Sequence, residues 1–275
     1  MAIVHQRGWA ADGFSESPWY FPLASPWQTF ASEPDFPSPQ QLSTLYAKRC
    51  EGRVLEAGAE RLRFVSAQPR HKRRGAPIEL SSLYEGKIVE LGQVSTRERD
   101  WHDFFNALTF AAFPRAKWAL HERQYRLLQR RIDADTRRLP GARTREQDAL
   151  SLFDEGGIAL AVDRAHAALL GDTPDSFEAS VLALCKRGAA LPVPFGHALP
   201  EHLVEGLACP LGTLHVVLLA PPFASLAELL NALDDALFQQ LSDPERFMTP
   251  SPARGLSLPA LAHAGGLDAL LGWQP

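Results

Sequence analysis

Cysteine is scarce in this 275-residue chain: Cys50, Cys185 and Cys209 are the only three, widely spaced and odd in number. That excludes a disulfide framework and a zinc ribbon, and leaves reduced thiols that pack as small apolar groups. Long apolar runs are missing as well. The longest, Leu214 to Ala224, is too short to span a bilayer and is broken by Pro221 and Pro222. The opening residues, MAIVHQRGWAADGF, lack the basic start and apolar stretch of a secretory leader. We therefore expect no membrane segment and a cytoplasmic location. The chain also has no G-x-G-x-x-G, no Walker loop, no G-x-S-x-G elbow and no H-E-x-x-H. Dinucleotide-dependent dehydrogenases, P-loop enzymes, zincins and ordinary serine hydrolases lose their main support.

What is present suits a packed domain. Hydrophobic residues make up 45% and charged residues 22%, ordinary values for a chain with a core. The net charge of −4 is unevenly spread. Residues 151–275 carry five Lys/Arg against fourteen Asp/Glu, and residues 1–150 carry twenty-three against eighteen. Arg115 to Arg145 alone holds ten basic and three acidic residues, and Arg70 to Arg74 adds four more basic ones. Such a band could meet a polyanion. A pI near 6.1 favours the other reading, in which the basic half packs against the acidic half.

Prolines 18, 22, 26, 34, 37 and 39 forbid a long helix in the first forty residues, yet Trp19, Tyr20, Phe21, Trp27 and Phe30 are too apolar for a free tail. Residues 1–40 should form an extended arm strapped over the domain, with its rings buried. Residues 41–275 should form one α+β domain, with helices packed on a small mixed or antiparallel sheet. Helices are expected at Gln40–Cys50, Trp101–Phe113, Lys117–Arg131, Ser176–Gly188 and Ser225–Leu241, with a further one starting after Gly196. Strands are expected at Leu62–Val65, Lys87–Val94 and Thr213–Ala220. Ala149–Phe153 and Ile158–Val162 should pair as a hairpin about Asp154–Gly157.

The segment RERDWHDFFNALTFAAFPRAK is the most informative. Asp100 caps its helix, and Trp101, Phe104, Phe105 and Leu108 form an apolar face. Phe110 and Phe113 lie on the other side, so the helix is apolar nearly all round and should be buried. His102, Asp103 and Asn106 nevertheless share one sector of it. Buried polar groups must find partners or cost about 1–3 kcal/mol each. A capping role accounts for Asp103, a carbonyl partner for His102 and a loop partner for Asn106, but capping does not explain Asn106.

Thr96 to Leu120 resembles the signature of an uncharacterised bacterial family, domain of unknown function 3025, through Thr-Arg, Trp-His-Asp, Phe-Asn-Ala-Leu and Phe-Pro-Arg-x-Lys. DALSLFDEGG and FGHAL are similar to its later blocks and occur in the same order, so the resemblance covers about residues 62–220. The carry-over falls on Arg97, Trp101, His102, Asp103, Asn106, Arg115, Lys117, Asp154, Glu155 and His197. The chain departs from the pattern at Asp100 and His121, where asparagines are expected, and in a shortened C-terminal tail. The resemblance brings no activity with it.

Two readings follow. In the first, the protein is a hydrolase-like enzyme with His102, Asp103, Asp154, Glu155 and His197 as catalytic groups. Arg97, Trp101, Asn106, Arg115 and Lys117 would hold an anionic small molecule. Carboxylates and imidazoles of this kind can hold a divalent metal ion or act as acid and base. In the second, the same cluster is a non-catalytic binding site for an anion or a partner peptide. Asp154–Gly157 also has plain turn chemistry, and His197 could be a satisfied surface histidine. No nucleic-acid partner is expected. The acidic half should repel duplex DNA at physiological salt, so a tight, steeply salt-dependent gel shift would contradict this reading.

Overall fold

Alternation sets the central strand. In the computed structural model, β3 (Gly157–Asp163) turns Ile158, Leu160 and Val162 to one apolar cluster and Ala159 and Ala161 to another. The strand is therefore buried on both faces, a period-two pattern with no polar side. The structure describes residues 8–68, 77–133, 135–139, 141–207, 210–250, 256–258 and 261. The basic loop Arg70–Arg74, Cys209, His263 and most of the C-terminal tail lie outside the described residues.

β3 pairs antiparallel with β4 (Ala190–Pro194) and parallel with β5 (Leu211–Leu219), which also pairs antiparallel with β6 (Leu256–Ser257). The sheet order is β4-β3-β5-β6, and the sheet is mixed. A separate parallel pair joins β1 (Arg63–Ser66) to β2 (Gln93–Thr96). Helices α7 (Pro174–Lys186) and α9 (Leu226–Ser242) supply Val181 and Leu184, and Leu233 and Leu237, to the two clusters that flank the sheet. The fold is α+β.

The expected helix after Asp100 is α4 (Trp101–Ala112), capped by the Asp100 side chain, which accepts from the Asp103 amide at 3.0 Å. Ten of its twelve residues are buried. Helix α5 (Pro114–Gln129) follows at once, because Pro114 pre-sets the first helical turn while ending α4. Its N-terminus is capped from across the molecule. Asp234 on α9, fully buried, accepts from the amides of Ala116 at 2.8 Å and Arg115 at 3.3 Å and pairs with Arg53 at 2.7 Å. Burial pushes its carboxyl up to about 6, against the pull of Arg53. Farther along α5, Arg123 donates to the carbonyls of Leu241, at the C-terminal end of α9, and of Asp243 and Arg246 just beyond it. The basic band is in part the surface on which the acidic half docks.

Two local expectations are corrected. Ala149–Val162 is not a hairpin: α6 (Arg145–Gly156) runs straight into β3. The Thr144–Gln147 capping box starts the helix, and Ala149, Leu150, Phe153 and Asp154 are buried on it at helical spacing. The apolar run before the glycines therefore had period 3.6, not 2. Lys87–Val94 is likewise split. Its first part belongs to α3 (Tyr84–Leu91), which Gly92 ends in the left-handed region at φ 62° before β2 begins. Strand β4 carried no periodic signal, because Pro192 and Pro194 interrupt it.

The N-terminal arm is ordered, and its path is partly helical. Pro18 and Pro22 sit in first turns, where a missing N–H costs nothing, and admit a short turn and α1 (Phe21–Gln28). Trp27 is fully buried, with its ring centroid within 5.6 Å of those of Tyr20, Trp101, Phe104 and Phe105. Trp19 packs in the other cluster, with Ile158 and Leu199. The strap thus ties α4 to the sheet. Trp27→Ala should cost about 3–5 kcal/mol in urea denaturation, and a loss below about 1 kcal/mol would show that the strap is dispensable.

Candidate functional site

Three helix ends meet beside the strap. Helix α4 contributes His102, the last turn of α6 contributes Asp154 and Glu155, and His197 is the residue before α8 (Ala198–Val204). The approach depends on a glycine. A Cβ on Gly196 would lie 2.4 Å from the Gly157 amide nitrogen and 2.5 Å from the Glu155 carbonyl oxygen, positions no side chain can share. With glycine there, the amides of Gly196 and His197 donate to Gly157 and Asp154 carbonyls at 2.8 and 3.1 Å. These bonds lock His197 beside Glu155.

The two imidazoles face one another. Nε2 of His102 lies 3.1 Å from Nε2 of His197, and Glu155 Oε2 is 3.5 Å from the same His197 nitrogen. One donor atom from each of His102, Glu155 and His197 fits within 4.8 Å of the others. His102 and His197 both use their remaining ring nitrogen toward a carboxylate. His102 Nδ1 meets Glu201 Oε2 at 2.7 Å, and His197 Nδ1 lies 3.8 Å from Asp154 Oδ1. The hydrogen bond that His102 donates to Glu201 raises its pKa, whereas burial lowers that of His197 to about 3. Glu155 is raised by burial and by the nearby Asp154 charge. Its side chain is 52% exposed, so the cluster opens to solvent on that side.

Beneath the histidines lies a buried ion pair. Lys117 Nζ, fully buried, reaches Asp154 Oδ1 at 2.5 Å and the Asn106 Oδ1 at 2.9 Å. Asn106 in turn donates to the Tyr84 hydroxyl at 2.9 Å. Burial alone would raise Asp154, but the Lys117 charge and hydrogen bond, together with His197 and His121, outweigh it and hold the carboxylate well below its usual range. His121 Nε2 approaches Asp154 Oδ2 at 4.0 Å, and burial holds that imidazole near 3.

The structure thus brings together His102, Asn106, Lys117, Asp154, Glu155 and His197. It places four other candidates elsewhere. Asp103 turns away and takes Arg97 through Nε at 3.0 Å and NH2 at 2.9 Å. Trp101 belongs to the strap's aromatic core, stacked on Trp9 and Phe105. Arg115 pairs with Glu56 at 3.0 Å and Asp235 at 2.7 Å. Three further participants are Glu201 and Tyr84, which the sequence reading does not name, and His121, which it names only as a departure from the family pattern. Two of them carry a legible signal. Glu201 lies four residues after His197 and His121 four after Lys117, the spacing that puts side chains on one helix face.

The family model described as protein of unknown function (DUF3025) matches residues 63–263, and the chain belongs to that family. No curated protein and no solved structure matches it.

The buried pair yields a direct test. Asp154→Asn strands the Lys117 charge in the core and should cost about 3–5 kcal/mol, measured by denaturant unfolding. Adding Lys117→Met should recover part of that loss. A double variant as unstable as the sum of the two singles would show that the pair does not act as a unit.

Proposed function

We propose that the protein is an enzyme of hydrolytic type whose reactive centre is the junction of His102, Glu155 and His197. One observation carries the reading. Three segments far apart in sequence converge to point two imidazole Nε2 atoms and a half-exposed carboxylate at one spot, open to solvent beside Glu155. A scaffold gains nothing from holding these groups together, and pays for a buried His197 Nδ1 that has no hydrogen-bond partner. A site that positions and activates a water does need them.

Roles follow from position. Glu201 orients His102 through Nδ1, leaving Nε2 to face the centre. Asp154 faces Nδ1 of His197 in the same sense, and Lys117 holds Asp154. Glu155, the most exposed of the three central groups, is placed to meet the incoming substrate. The expected anion-binding cations do not support an anionic substrate. Arg97 is engaged by Asp103, Arg115 by Glu56 and Asp235, and Lys117 by Asp154. With these cations engaged, the half-exposed Glu155 carboxylate at the opening favours a neutral substrate, of ester or amide type, over a phosphoester. No helix among the described residues is long and apolar enough to cross a membrane, and the free thiols of Cys50 and Cys185 support a cytoplasmic setting.

A panel of activated carboxylic esters, amides and phosphoesters tests the reading on purified protein. Turnover of an acyl substrate should fall about 100-fold or more in Glu155→Gln and His102→Ala, with the unfolding midpoint of Glu155→Gln unchanged. Binding of panel compounds without turnover would sink the enzyme and leave a binding protein.

A further inference from the structure

The facing nitrogens raise a question of charge. Glu201 accepts from Nδ1 of His102, and the Asp154 carboxylate faces Nδ1 of His197 at 3.8 Å. Each carboxylate therefore favours the tautomer with its proton on Nδ1 and a lone pair on Nε2. Two lone pairs 3.1 Å apart repel unless something positive lies between or beside them. A carboxylate oxygen of Glu155 at 3.5 Å adds a third electron-rich atom to the same spot.

We propose that His102 Nε2, His197 Nε2 and a Glu155 carboxylate oxygen bind one divalent transition-metal ion of the zinc type. Zinc takes imidazole nitrogen at about 2.0–2.1 Å and carboxylate oxygen at about 2.0–2.2 Å, so two tetrahedral ligands lie roughly 3.3–3.5 Å from each other. The observed separations of 3.1 and 3.5 Å fall within a few tenths of an ångström of that. The remaining edge lies within 4.8 Å and closes by rotation of Glu155, whose half-exposed side chain is free to turn.

The surroundings point the same way. Metal-bound histidines characteristically present their second nitrogen to a carboxylate; His102 does so with Glu201, and His197 Nδ1 faces Asp154. His197 is nine-tenths buried, and its Nδ1 has no hydrogen-bond partner at 3.8 Å from Asp154; a small ring movement on binding would complete that bond. Two imidazoles and one carboxylate select zinc, iron, nickel or cobalt over calcium or magnesium, which take oxygen cages. Three protein ligands leave a position open on the solvent side, as catalytic rather than structural sites do. The inference concerns the same centre as the enzyme reading, but the two stand or fall separately.

The test uses the full chain, stripped with a chelator and titrated with Zn2+ and with Co2+ as a spectroscopic probe. The expected result is one tightly bound ion per chain and the visible absorption of four- or five-coordinate Co2+. Affinity should fall on the order of 100-fold or more in His102→Ala and in Glu155→Ala, and about 10–100-fold in Glu201→Gln. Glu155→Ala guards against misfolding, since that side chain faces solvent. His166→Ala, at a histidine paired with Asp163 outside the cluster, should bind as the parent does. No stoichiometric ion, or binding indifferent to His102 and Glu155, overturns the proposal; a proton then holds the two nitrogens together. Metal binding without turnover of any panel substrate leaves the site and removes the hydrolase. Turnover by protein that binds no stoichiometric ion leaves the hydrolase and removes the site.

Discussion

The Lys117–Asp154 ion pair is the constraint around which the site is arranged. A lysine with no exposed surface can stay charged only if its partner is placed and held. Asp154 is placed by the last turn of α6, and Lys117 by the first turns of α5. The pair therefore fixes how these two helices meet. Asn106 takes another Lys117 proton and brings in α4. Once those three helices are set, His102 lies one turn before Asn106 and Glu155 one residue after Asp154. His197 then needs only the close approach that Gly196 permits. The position of every group at the centre traces back to a charge that cannot be left alone.

Much of this was legible, for physical reasons that differ by element. The α4 segment announced itself because it is apolar all round yet carries three polar residues in one sector. Its cap at Asp100 and its burial are as the pattern implies. The arm was legible through its rings, which could not be left in water, although its local path was not. What failed was the assignment of period in short apolar runs beside glycine. Gly156-Gly157 suggests a turn, and here marks the passage from helix to strand. Gly92 sits inside an apparently alternating run and ends a helix. In both places a left-handed or close-packed glycine is indistinguishable, in sequence, from a hairpin residue.

The site divided along a different line. His102 and Asn106 were visible as polar residues in apolar company, whereas Lys117, Asp154, Glu155 and His197 were marked by the family resemblance. Asp103 was visible on the same apolar helix and Arg97 through the resemblance, but they satisfy one another beside the α4 cap. Burial pattern alone cannot separate a polar residue that serves a helix end from one that serves a centre. Spacing would have helped. His102 with Asn106, Lys117 with His121 and His197 with Glu201 are each four residues apart, so each helix offers a pair of polar groups on one face. Charge asymmetry was likewise ambiguous until contacts were known. Arg53, Arg115 and Arg123 in the basic half bind Asp234, Asp235 and the end of α9 in the acidic half, so much of the imbalance is internal.

What lies between the two imidazoles decides the chemistry of the centre. A crystal grown with Zn2+ and measured on either side of the zinc absorption edge would locate it directly. The account predicts one strong anomalous peak about 2.0–2.1 Å from Nε2 of both His102 and His197, with a Glu155 oxygen alongside. A map with no peak there, or with its peak at another histidine such as His166, would contradict it.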